Sequence, residues 1–480
     1  VYVGESTRQL TSGALSYRDA GSIDAKGKAD PVPVWQAEAV VGQRGGVGRW
    51  ETLEPPFVGR EDELRFLKDQ LHATTRDRSA RLVSIVGEPG IGKSRIAWEL
   101  LKYLDGVTEV FKWHQGRSPA YGEGVTFWAL AEMVRSRAGI GDEDESPAAR
   151  IRLRTAVAEF IPDPDERAWI EPKLAGLLGL EDTGGVSRGE LFSAIRTFFQ
   201  RIAATDTVVM LFEDLHWADA GQLELIEELV ELSRSSPILV ITLARPDLID
   251  RRPDWGTARS HFASLHLGAL ADADMDRLVR GIVADVDDRL VEAIVARAGG
   301  IPLYAVEFLR ALVDAGSLVA DGTALRSVGP VDDVGLPDSL HAMVGSRLDR
   351  LDPADRALVQ DCAILGHSFT PDGLMALTGR SMDDLAPPLR ELTKRELLRL
   401  EADPLSPERG QYQFVQGVIR EVAYGRIAKA DRVARHVRVA EYFQEAVPVE
   451  GAAVIADHYL KAYEIEPDET LAERARTALI

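Results

Sequence analysis

Short apolar runs alternate with longer segments of helical periodicity over the middle of this chain. The runs are rich in Val, Ile and Leu with little polar alternation, which is typical of strands buried on both faces. Between two of them, residues 222–232 place four apolar side chains along one side of a helix. Strands that alternate with helices predict a mostly parallel, five-stranded sheet with helices on both faces. The strand candidates are 81–86, 109–113, 207–212, 237–243 and 265–267.

The remaining sequence divides the chain into several units. A single core does not grow to 480 residues, so about three domains are expected. A helical insertion is predicted near 120–206, and a β-ribbon is predicted from 397–400 and 411–415. The predicted segments are 1–40, a Gly- and Pro-rich linker at 41–56, an α/β domain at 57–268, a helical segment at 269–330, a mixed segment at 331–447 and a helical segment at 448–480.

Composition and charge narrow the function classes. Apolar and charged contents are ordinary for a globular protein, and no apolar run approaches the ~20 residues that cross a bilayer. The net charge of −21 argues against broad binding to nucleic acid or to anionic membranes. The single cysteine, Cys362, excludes a disulfide framework and fits a cytoplasmic location, and its apolar neighbours predict burial. The chain opens on Val1 without a signal peptide, and we expect a fragment of a longer polypeptide.

Residues 87–94 form a complete phosphate-binding loop, Gly-Glu-Pro-Gly-Ile-Gly-Lys-Ser, between a predicted strand and a predicted helix. Backbone N–H groups and a helix N-terminus can surround a polyphosphate there, and the glycines allow close approach. Lys93 can reach the β- and γ-phosphates, and the Ser94 hydroxyl can bind Mg²⁺. A glycine-rich turn that matches by chance is the alternative. The predicted nucleotide contacts in this segment are Gly87, Glu88, Pro89, Gly90, Ile91, Gly92, Lys93, Ser94 and Arg95.

Two carboxylates, Glu213 and Asp214, end the apolar run at 207–212. Paired acids at the end of a buried strand are costly unless they meet a cation, so we expect this strand beside that of the phosphate loop. By position Glu213 would support Mg²⁺ and Asp214 would orient or activate water, although the two roles can be exchanged. Surface acids that open the following loop are the alternative. His216 follows them without an evident nucleophile partner, and a structural role is expected for it.

The strand at 237–243 brings Thr242 and Arg245 to its carboxyl end. A cation at that edge of the sheet, beside the acidic strand, can report whether a γ-phosphate is present. Thr242 and Arg245 are therefore the candidate γ-phosphate sensors. A solvated loop arginine is the alternative for Arg245. The candidate catalytic residues are Glu213, Asp214 and Arg245, and the candidate Mg²⁺ ligands are Ser94, Glu213 and Asp214.

Taken in order, these motifs resemble those of the signalling ATPases with numerous domains, the STAND class of the AAA-like lineage. The resemblance implies that the entry signature at 57–61 lies against an adenine base. It further implies that the Gly-x-Pro motif at 300–302 opens a helical lid and touches the nucleotide. It also implies ATP or ADP with Mg²⁺ as cofactors. The site residues that it adds are Val58, Gly59, Arg60 and Pro302. The matching segments are 57–61, 116–128, 214–219 and 299–303.

More narrowly, the chain resembles bacterial regulators in which this ATPase follows a class III adenylyl or guanylyl cyclase domain. Residues 1–40 resemble the last hairpin of such a cyclase without its catalytic residues, although an unrelated hairpin is the alternative. Residues 331–447 resemble a winged-helix domain, and 448–480 resemble the start of a tetratricopeptide-like array. Since 331–447 holds 15 basic against 19 acidic residues, we expect an intramolecular role for it rather than DNA binding.

One position departs from the pattern of the family that the chain resembles. Relatives often carry Phe-x-His shortly before an Ile-Arg-Glu-like run, whereas this chain has Gln416 in place of the histidine. Glutamine donates and accepts hydrogen bonds but cannot become a cation. A contact from this position to the β-phosphate of ADP would therefore carry no charge.

The main hypothesis is a nucleotide-controlled switch with slow, Mg²⁺-dependent ATP hydrolysis. With ADP the lid and the winged helix would fold over the nucleotide, and with ATP the chain would open and contact partners or a second copy. The implied partners are the cyclase and helical-repeat domains of the longer polypeptide, with neither a membrane nor nucleic acid expected. The alternatives are a steadily cycling ATPase and a part of an ATP-dependent DNA-binding transcriptional regulator.

Overall fold

The structure is a computed structural model. Three of the sequence predictions lie outside its described residues: the linker at 41–54, the segment around Tyr121–Gly124 and the boundary at 328–339. The described residues are 2–4, 15–23, 32–40, 55–107, 109–118, 127–141, 146–181, 186–256, 261–284, 286–314, 316–321, 324–327, 340–395, 397–401, 410–446 and 452–478.

A five-stranded parallel sheet forms the centre of the α/β domain, as predicted. Its strand order is β5-β6-β7-β4-β8, so β7 lies between the strand of the phosphate loop and the strand that ends in the two acids. The prediction that these two strands are direct neighbours was wrong, because the wholly buried β7 takes the central position. The strands are β4 (Arg81–Gly87), β5 (Phe111–Arg117), β6 (Thr207–Glu213), β7 (Ile238–Ala244) and β8 (Phe262–Leu267).

Each face of the sheet supplies its own hydrophobic core. Because side chains alternate along a strand, Val209 and Leu211 of β6 belong to one core and the residues on either side of them to the other. The first core is completed by α1 (Glu61–Asp77) and α2 (Lys93–Gly106), the helix that follows the phosphate loop. Burial on both faces explains why the strands are nearly continuous apolar runs.

The second face is covered by the predicted helical insertion and by the helices after β6. Four helices stand between β5 and β6, and α6 among them begins with a capping box formed by Ser187 and Glu190. Their apolar side chains pack against the sheet as one cluster. The helices on this face are α3 (Trp128–Ala138), α4 (Ser146–Phe160), α5 (Pro164–Leu177), α6 (Arg188–Thr205), α7 (Ala220–Leu232) and α8 (Asp247–Arg251).

Three helices after β8 form the segment that we call the lid. Leu270 donates its backbone N–H to Gly300 O at 2.8 Å, which fixes the loop that leads into the third of these helices. A small sheet, with strand order β10-β11-β9, closes the segment. The elements are α9 (Asp272–Ile282), β9 (Val283–Ala284), α10 (Asp288–Ala298), α11 (Pro302–Asp314), β10 (Leu318–Asp321) and β11 (Ala324–Ser327).

The C-terminal unit, residues 340–478, is mainly helical. The predicted β-ribbon is present as the antiparallel pair β13–β14, to which β12 adds a third strand. Among the described helices of the protein, none is long and apolar enough to cross a bilayer. The elements are α12 (Leu340–Asp349), α13 (Pro353–Leu365), β12 (Ser368–Phe369), α14 (Pro371–Thr378), α15 (Met382–Lys394), β13 (Leu398–Leu400), β14 (Tyr412–Phe414), α16 (Gly417–Gly425), α17 (Lys429–Ala446), α18 (Ala452–Ile465) and α19 (Glu469–Ala478).

The lid and the C-terminal unit share one hydrophobic core. Phe308 and Leu312 of α11 belong to the same cluster as Leu348 of α12 and Leu358 of α13. The predicted boundary between 269–330 and 331–447 is therefore not a boundary between cores.

A buried carboxylate reinforces this junction. Glu307 of α11 is fully buried and accepts hydrogen bonds from Arg310 at 2.6 Å, Arg347 at 2.8 Å and Gln416 at 2.5 Å. We call these four residues the Glu307 cluster. Removing one partner of a buried ion pair typically costs about 3–5 kcal/mol, so the cluster holds the lid and the C-terminal unit together.

Residues 1–40 contribute a separate antiparallel sheet, in which β3 is the central strand. This agrees with the strand-rich character predicted for the segment. The strands are β1 (Tyr2–Gly4), β2 (Leu15–Ile23) and β3 (Val32–Val40).

The buried cysteine gives a direct measure of how firmly α13 is packed. Cys362 is fully buried, and burial raises the pKa of its thiol well above the usual value. We expect Cys362 of the native protein to react only slowly with an aromatic disulfide reagent at pH 8. The chain unfolded in urea should react at once and release one equivalent of the reagent's aromatic thiolate, which absorbance measures. Rapid stoichiometric labelling without urea would show that α13 opens readily.

Candidate nucleotide-binding site

The phosphate loop joins β4 to α2 in a backbone conformation that needs glycine. Gly90 and Gly92 have φ values of 78° and 109°, in the left-handed region. A Cβ on Gly87 would stand 2.8 Å from Ile91 Cγ2 and 3.0 Å from Leu267 O, so the close packing of the loop on β8 also requires glycine there. No side chain caps the N-terminus of α2, so its first N–H groups remain for an anion.

Lys93 is the central cation of this loop. Its Nζ donates to Gly87 O at 2.7 Å and to Glu88 O at 3.0 Å. Burial, followed by the nearby charge of Arg245, lowers the pKa of Lys93 to about 8, although Asp214 and other carboxylates oppose the shift. The ammonium group is therefore short of neutralising charge, which suits a polyphosphate-binding position.

Glu213 is turned towards β5. It is nearly buried, and its Oε2 accepts from Gln115 Nε2 at 2.8 Å and lies 3.4 Å from Arg117 Nη2. Arg117 also places its Nε 3.4 Å from Asp214 Oδ2, so this guanidinium pairs with both acids. The parallel register sets Arg117 directly beside Glu213.

Gln115 and Arg117 are the site residues that the sequence analysis missed. The predicted strand stopped at residue 113, whereas β5 continues to Arg117. Parallel strands end at the same edge of a sheet, so the strand beside β6 must end near the two acids. That rule would have drawn attention to the polar residues that follow the apolar start of β5.

Asp214 occupies a different environment from Glu213. Its φ of 53° lies in the left-handed region, and its side chain is 42% exposed. Its charge raises the pKa of Lys93, whereas that of Glu213 is not among the main influences on it. Of the two acids, Asp214 is therefore the one whose charge acts on the lysine of the phosphate loop. This geometry favours the exchanged assignment of the two roles, which the sequence left open.

Arg245, which follows the last residue of β7, lies between the phosphate loop and the C-terminal unit. Its charge lowers the pKa of Lys93, which places it on the loop side. At the same time its Nη1 lies 3.6 Å from Glu421 Oε1 on α16, and the two side chains are 28% and 47% exposed. The candidate sensor thus contacts both parts of the protein.

Thr242 is not at the edge of the sheet. It is fully buried, and its hydroxyl donates to Ser84 Oγ at 3.1 Å within the sheet. Trp255 Nε1 donates to the same Ser84 oxygen at 3.1 Å. The structure therefore does not bring Thr242 to the phosphate loop, because β7 runs two residues beyond it and its side chain faces β4.

The entry segment packs between the sheet and the lid. Gly59 has a φ of 66°, and a Cβ there would lie 2.6 Å from Asp274 Oδ2 of α9. The Arg60 guanidinium donates to Gly268 O and to Glu63 Oε1, and Val58 packs against the lid core. The segment is thereby fixed to the start of the lid.

The lid also touches the phosphate loop directly. Pro302 is the first residue of α11, and the next residue, Leu303, donates its N–H to Gly90 O at 3.3 Å. A Cβ on Gly90 would lie 2.7 Å from Leu303 Cβ, so glycine is required for this contact as well.

The other predicted loop residues have simple positions. Ile91 is buried beneath the loop, and Arg95 Nη2 pairs with Glu99 Oε1 of α2 at 2.8 Å. Glu88, Pro89 and Ser94 are exposed at the loop surface.

His216 is buried in a one-turn 3-10 helix after the acids. Neither of its ring nitrogens has a hydrogen-bond partner among the described residues. Burial and the charge of Arg245 lower its pKa to about 3, so the ring is neutral at pH 7.

Comparison with known families agrees with this geometry. Residues 56–241 match the family described as the AAA ATPase domain. This segment is an AAA-type P-loop ATPase domain. The matched range begins just before the entry signature and includes the phosphate loop, the two acids and most of β7, so every strand of the domain except β8 falls largely within it.

Individual relatives of the chain are distant in sequence. An uncharacterised protein of Rhizobium meliloti (strain 1021) is 24% identical over 458 residues, which cover 92% of this chain and 42% of that protein. The chain thus spans less than half the length of this curated relative.

Solved structures with a similar fold are also distant in sequence. A signal transduction ATPase with numerous domains and a tetratricopeptide repeat sensor, from Pyrococcus horikoshii, is 14% identical, with a TM-score of 0.46 over 88% of this chain and 51% of that one. The Aeropyrum pernix Orc1 protein, solved in complex with DNA, is 14% identical, with a TM-score of 0.38 over 81% of this chain and 98% of that one. Neither similarity bears on what this chain binds.

The lowered pKa of Lys93 predicts a pH dependence of nucleotide affinity. A bound polyphosphate favours the charged ammonium, so above pH 8 binding must be accompanied by proton uptake. We expect the affinity for ADP to fall about fivefold between pH 8 and pH 9. Calorimetric titration in buffers of different ionisation enthalpy measures both quantities. Lys93→Arg stays charged over this range and should show no such fall; an equal fall in that variant would contradict the assignment.

The different environments of the two acids predict different variant phenotypes. Asp214→Asn should abolish the Mg²⁺-dependent part of the affinity for a non-hydrolysable ATP analogue, because the charge of this carboxylate acts on the loop lysine. Glu213→Gln should retain that part, because its carboxylate is held by Gln115 and Arg117. Titrations with Mg²⁺ and with EDTA separate the two effects. The reverse pattern would restore the original assignment of the roles.

Proposed function

We propose that this chain is an ATP- and ADP-binding regulatory switch in which the nucleotide controls the packing of the C-terminal unit on the ATPase domain. The observation that carries the proposal is the position of Arg245. This candidate γ-phosphate sensor influences Lys93 on one side and pairs with Glu421 of α16 on the other. A change at the phosphate site can therefore reach the C-terminal unit through a single side chain.

The residues at the loop fit a nucleotide with Mg²⁺. The uncapped start of α2 and Lys93 would hold the phosphates, while Asp214 and the Ser94 hydroxyl would hold the ion. When bound, Mg²⁺ would supply positive charge to the phosphate oxygens that gain negative charge during hydrolysis. Arg117 keeps Glu213 and Asp214 in place, and slow hydrolysis is the activity that we propose for this set.

A γ-phosphate would compete with Glu421 for Arg245. Because both partners of the ion pair are partly exposed, the pair contributes at most about 1 kcal/mol. Shifting the population ratio of the ADP-type and ATP-type conformations from 1:99 to 99:1 needs a difference of about 5.5 kcal/mol in binding free energy. The switch must therefore draw on further contacts, and the bond between Leu303 and Gly90 is in the right place to change with the loop.

The Glu307 cluster defines what moves. It fixes α11 of the lid to Arg347 and Gln416 of the C-terminal unit, and the two parts share one core. We infer that the lid and the C-terminal unit move together, with the change of backbone angle confined to the connection from β8 into α9. This connection already contains the bond from Leu270 to Gly300 O.

The wider setting of the switch rests on resemblance alone. We propose that the chain belongs to a cytoplasmic, cyclase-linked bacterial signalling or transcriptional regulator, with residues 1–40 from the cyclase, a winged helix in 331–447 and the start of helical repeats from 448. The longer curated relative is consistent with additional domains in such a protein. Its partners would be those domains, or a second copy of the chain.

Removing the charge of Glu421 tests the switch. Glu421→Gln should shift the ADP-bound protein towards the shape of the ATP-bound protein, because Arg245 loses its partner on α16. Small-angle scattering and gel filtration, with ADP and with a non-hydrolysable ATP analogue, measure the shift. The unchanged protein should differ between the two nucleotides, and the variant should differ less.

The matched control is Glu466→Gln, an exposed carboxylate between α18 and α19. It should behave as the unchanged protein. Identical scattering with both nucleotides in the unchanged protein would refute the switch, and failure of either nucleotide to bind would refute the site itself.

A further inference from the structure

A cavity lies in the C-terminal unit, away from the phosphate loop. Its volume is about 370 Å³, at the small end of the range for small-molecule sites. Its walls come from α13, α14 and the segment after it, and α17. None of its lining residues takes part in the nucleotide site, so the inference is independent of the proposed switch. The lining residues are Ala354, Ala357, Leu358, Asp361, Leu377, Thr378, Arg380, Arg435 and Arg438.

The cavity carries more positive than negative charge. Of its three arginines, Arg435 is neutralised by Asp361, since Nη1 and Oδ1 are 3.0 Å apart. The other two donate to main-chain oxygens: Arg438 to Leu377 O and Arg380 to Asp384 O, both at 2.9 Å. A carbonyl orients a guanidinium but does not neutralise it.

One further carboxylate lies close by. Asp384 accepts a hydrogen bond from the Ser381 hydroxyl at 2.6 Å, and its pKa is lowered mainly by Ser381 and only in part by Arg380. Asp384 is not among the residues that line the cavity. Asp361 is the one carboxylate among the lining residues and lies nearest to Arg435. Burial raises the pKa of Asp361, and the charges of all three lining arginines oppose that rise. Three guanidiniums therefore share a single carboxylate in this cavity.

The remaining walls are apolar or small. Leu358 and Leu377 are buried, whereas Ala354 and Ala357 of the first turns of α13 leave the space open. A ligand with a compact apolar body can pack against these four side chains while its charged groups reach the arginines. Guanidinium groups bind phosphate and carboxylate oxygens with two parallel hydrogen bonds each.

We propose that this cavity is a binding site for a compact organic dianion, either a phosphate monoester or a dicarboxylate, held by Arg380 and Arg438. Two negative charges would match the excess of three guanidiniums over one carboxylate in the lining. The Arg435–Asp361 pair forms the fixed side of the site and orients the third guanidinium. The ligand would rest on α17, the helix whose His436 bonds to His458 of α18 at 2.7 Å.

Calorimetric titration of the full chain tests the site, with phenyl phosphate and succinate as probes. The Lys93→Ala background removes the main phosphate-binding charge of the loop and so separates the two anion sites. We expect one probe to bind with one-to-one stoichiometry and the Arg380→Gln/Arg438→Gln double variant to bind it at least about tenfold more weakly. Whichever probe binds identifies the chemistry of the ligand.

Arg390→Gln is the matched control, because Arg390 is an exposed arginine of α15 that does not line the cavity. It should leave the affinity unchanged, and circular dichroism should show all variants folded. Equal affinity of the double variant and the control would overturn the proposal, as would no binding of either probe at millimolar concentration. Salt-sensitive binding of duplex DNA would also overturn the proposal if only the double variant loses it and neither probe binds. The arginines would then contact the phosphate backbone of DNA rather than a small dianion.

Discussion

Poorly solvated positive charge at the carboxyl edge of the sheet governs the nucleotide-binding end of this protein. Lys93 and Arg245 lie close enough that each charge disfavours the other, and burial increases the cost. Asp214 at the end of β6 and Glu421 of α16 offset part of it. An anion in the loop would offset the rest, so binding there relieves an existing electrostatic strain. The ion pair between Arg245 and Glu421 joins the ATPase domain to the C-terminal unit, so this contact depends on the same charges.

The lid and the C-terminal unit are packed as one body. They have a single core and a buried carboxylate in common. Close-packed cores do not deform gradually, so such a body moves as a whole or remains in place. The hydrogen bond from Leu303 to Gly90 O joins this body to the phosphate loop, so in the proposed switch a displacement of the loop would act on the body as a whole.

The sequence was sufficient for elements whose signal is local. The strands β4, β6 and β7 are continuous apolar runs, and the phosphate loop is a contiguous motif, so both could be predicted. The sequence was not sufficient where the structure depends on the order of the strands in the sheet or on the direction in which a side chain points. Nothing in the local pattern places β7 beside β4, or turns the hydroxyl of Thr242 towards Ser84.

Contacts between distant segments were also beyond the sequence. Gln416 was noted as a departure from the family's pattern, but its partner, Glu307, is 109 residues away. Likewise Arg117 was passed over because β5 ends in polar residues, and their value depends on the acids of β6 beside them. Polar groups are recognised as a site only when the fold has brought them together.

Gln416 has a consequence for how the junction behaves when the surroundings become acidic. A carboxylate only accepts hydrogen bonds, so the amide NH₂ must face Glu307, and this fixes the orientation of the side chain. A histidine there would gain a proton near neutral pH and change the charge of the junction. The amide has no such second state. Residue 416 therefore adds no charge to the junction between the lid and the C-terminal unit at any pH near neutrality.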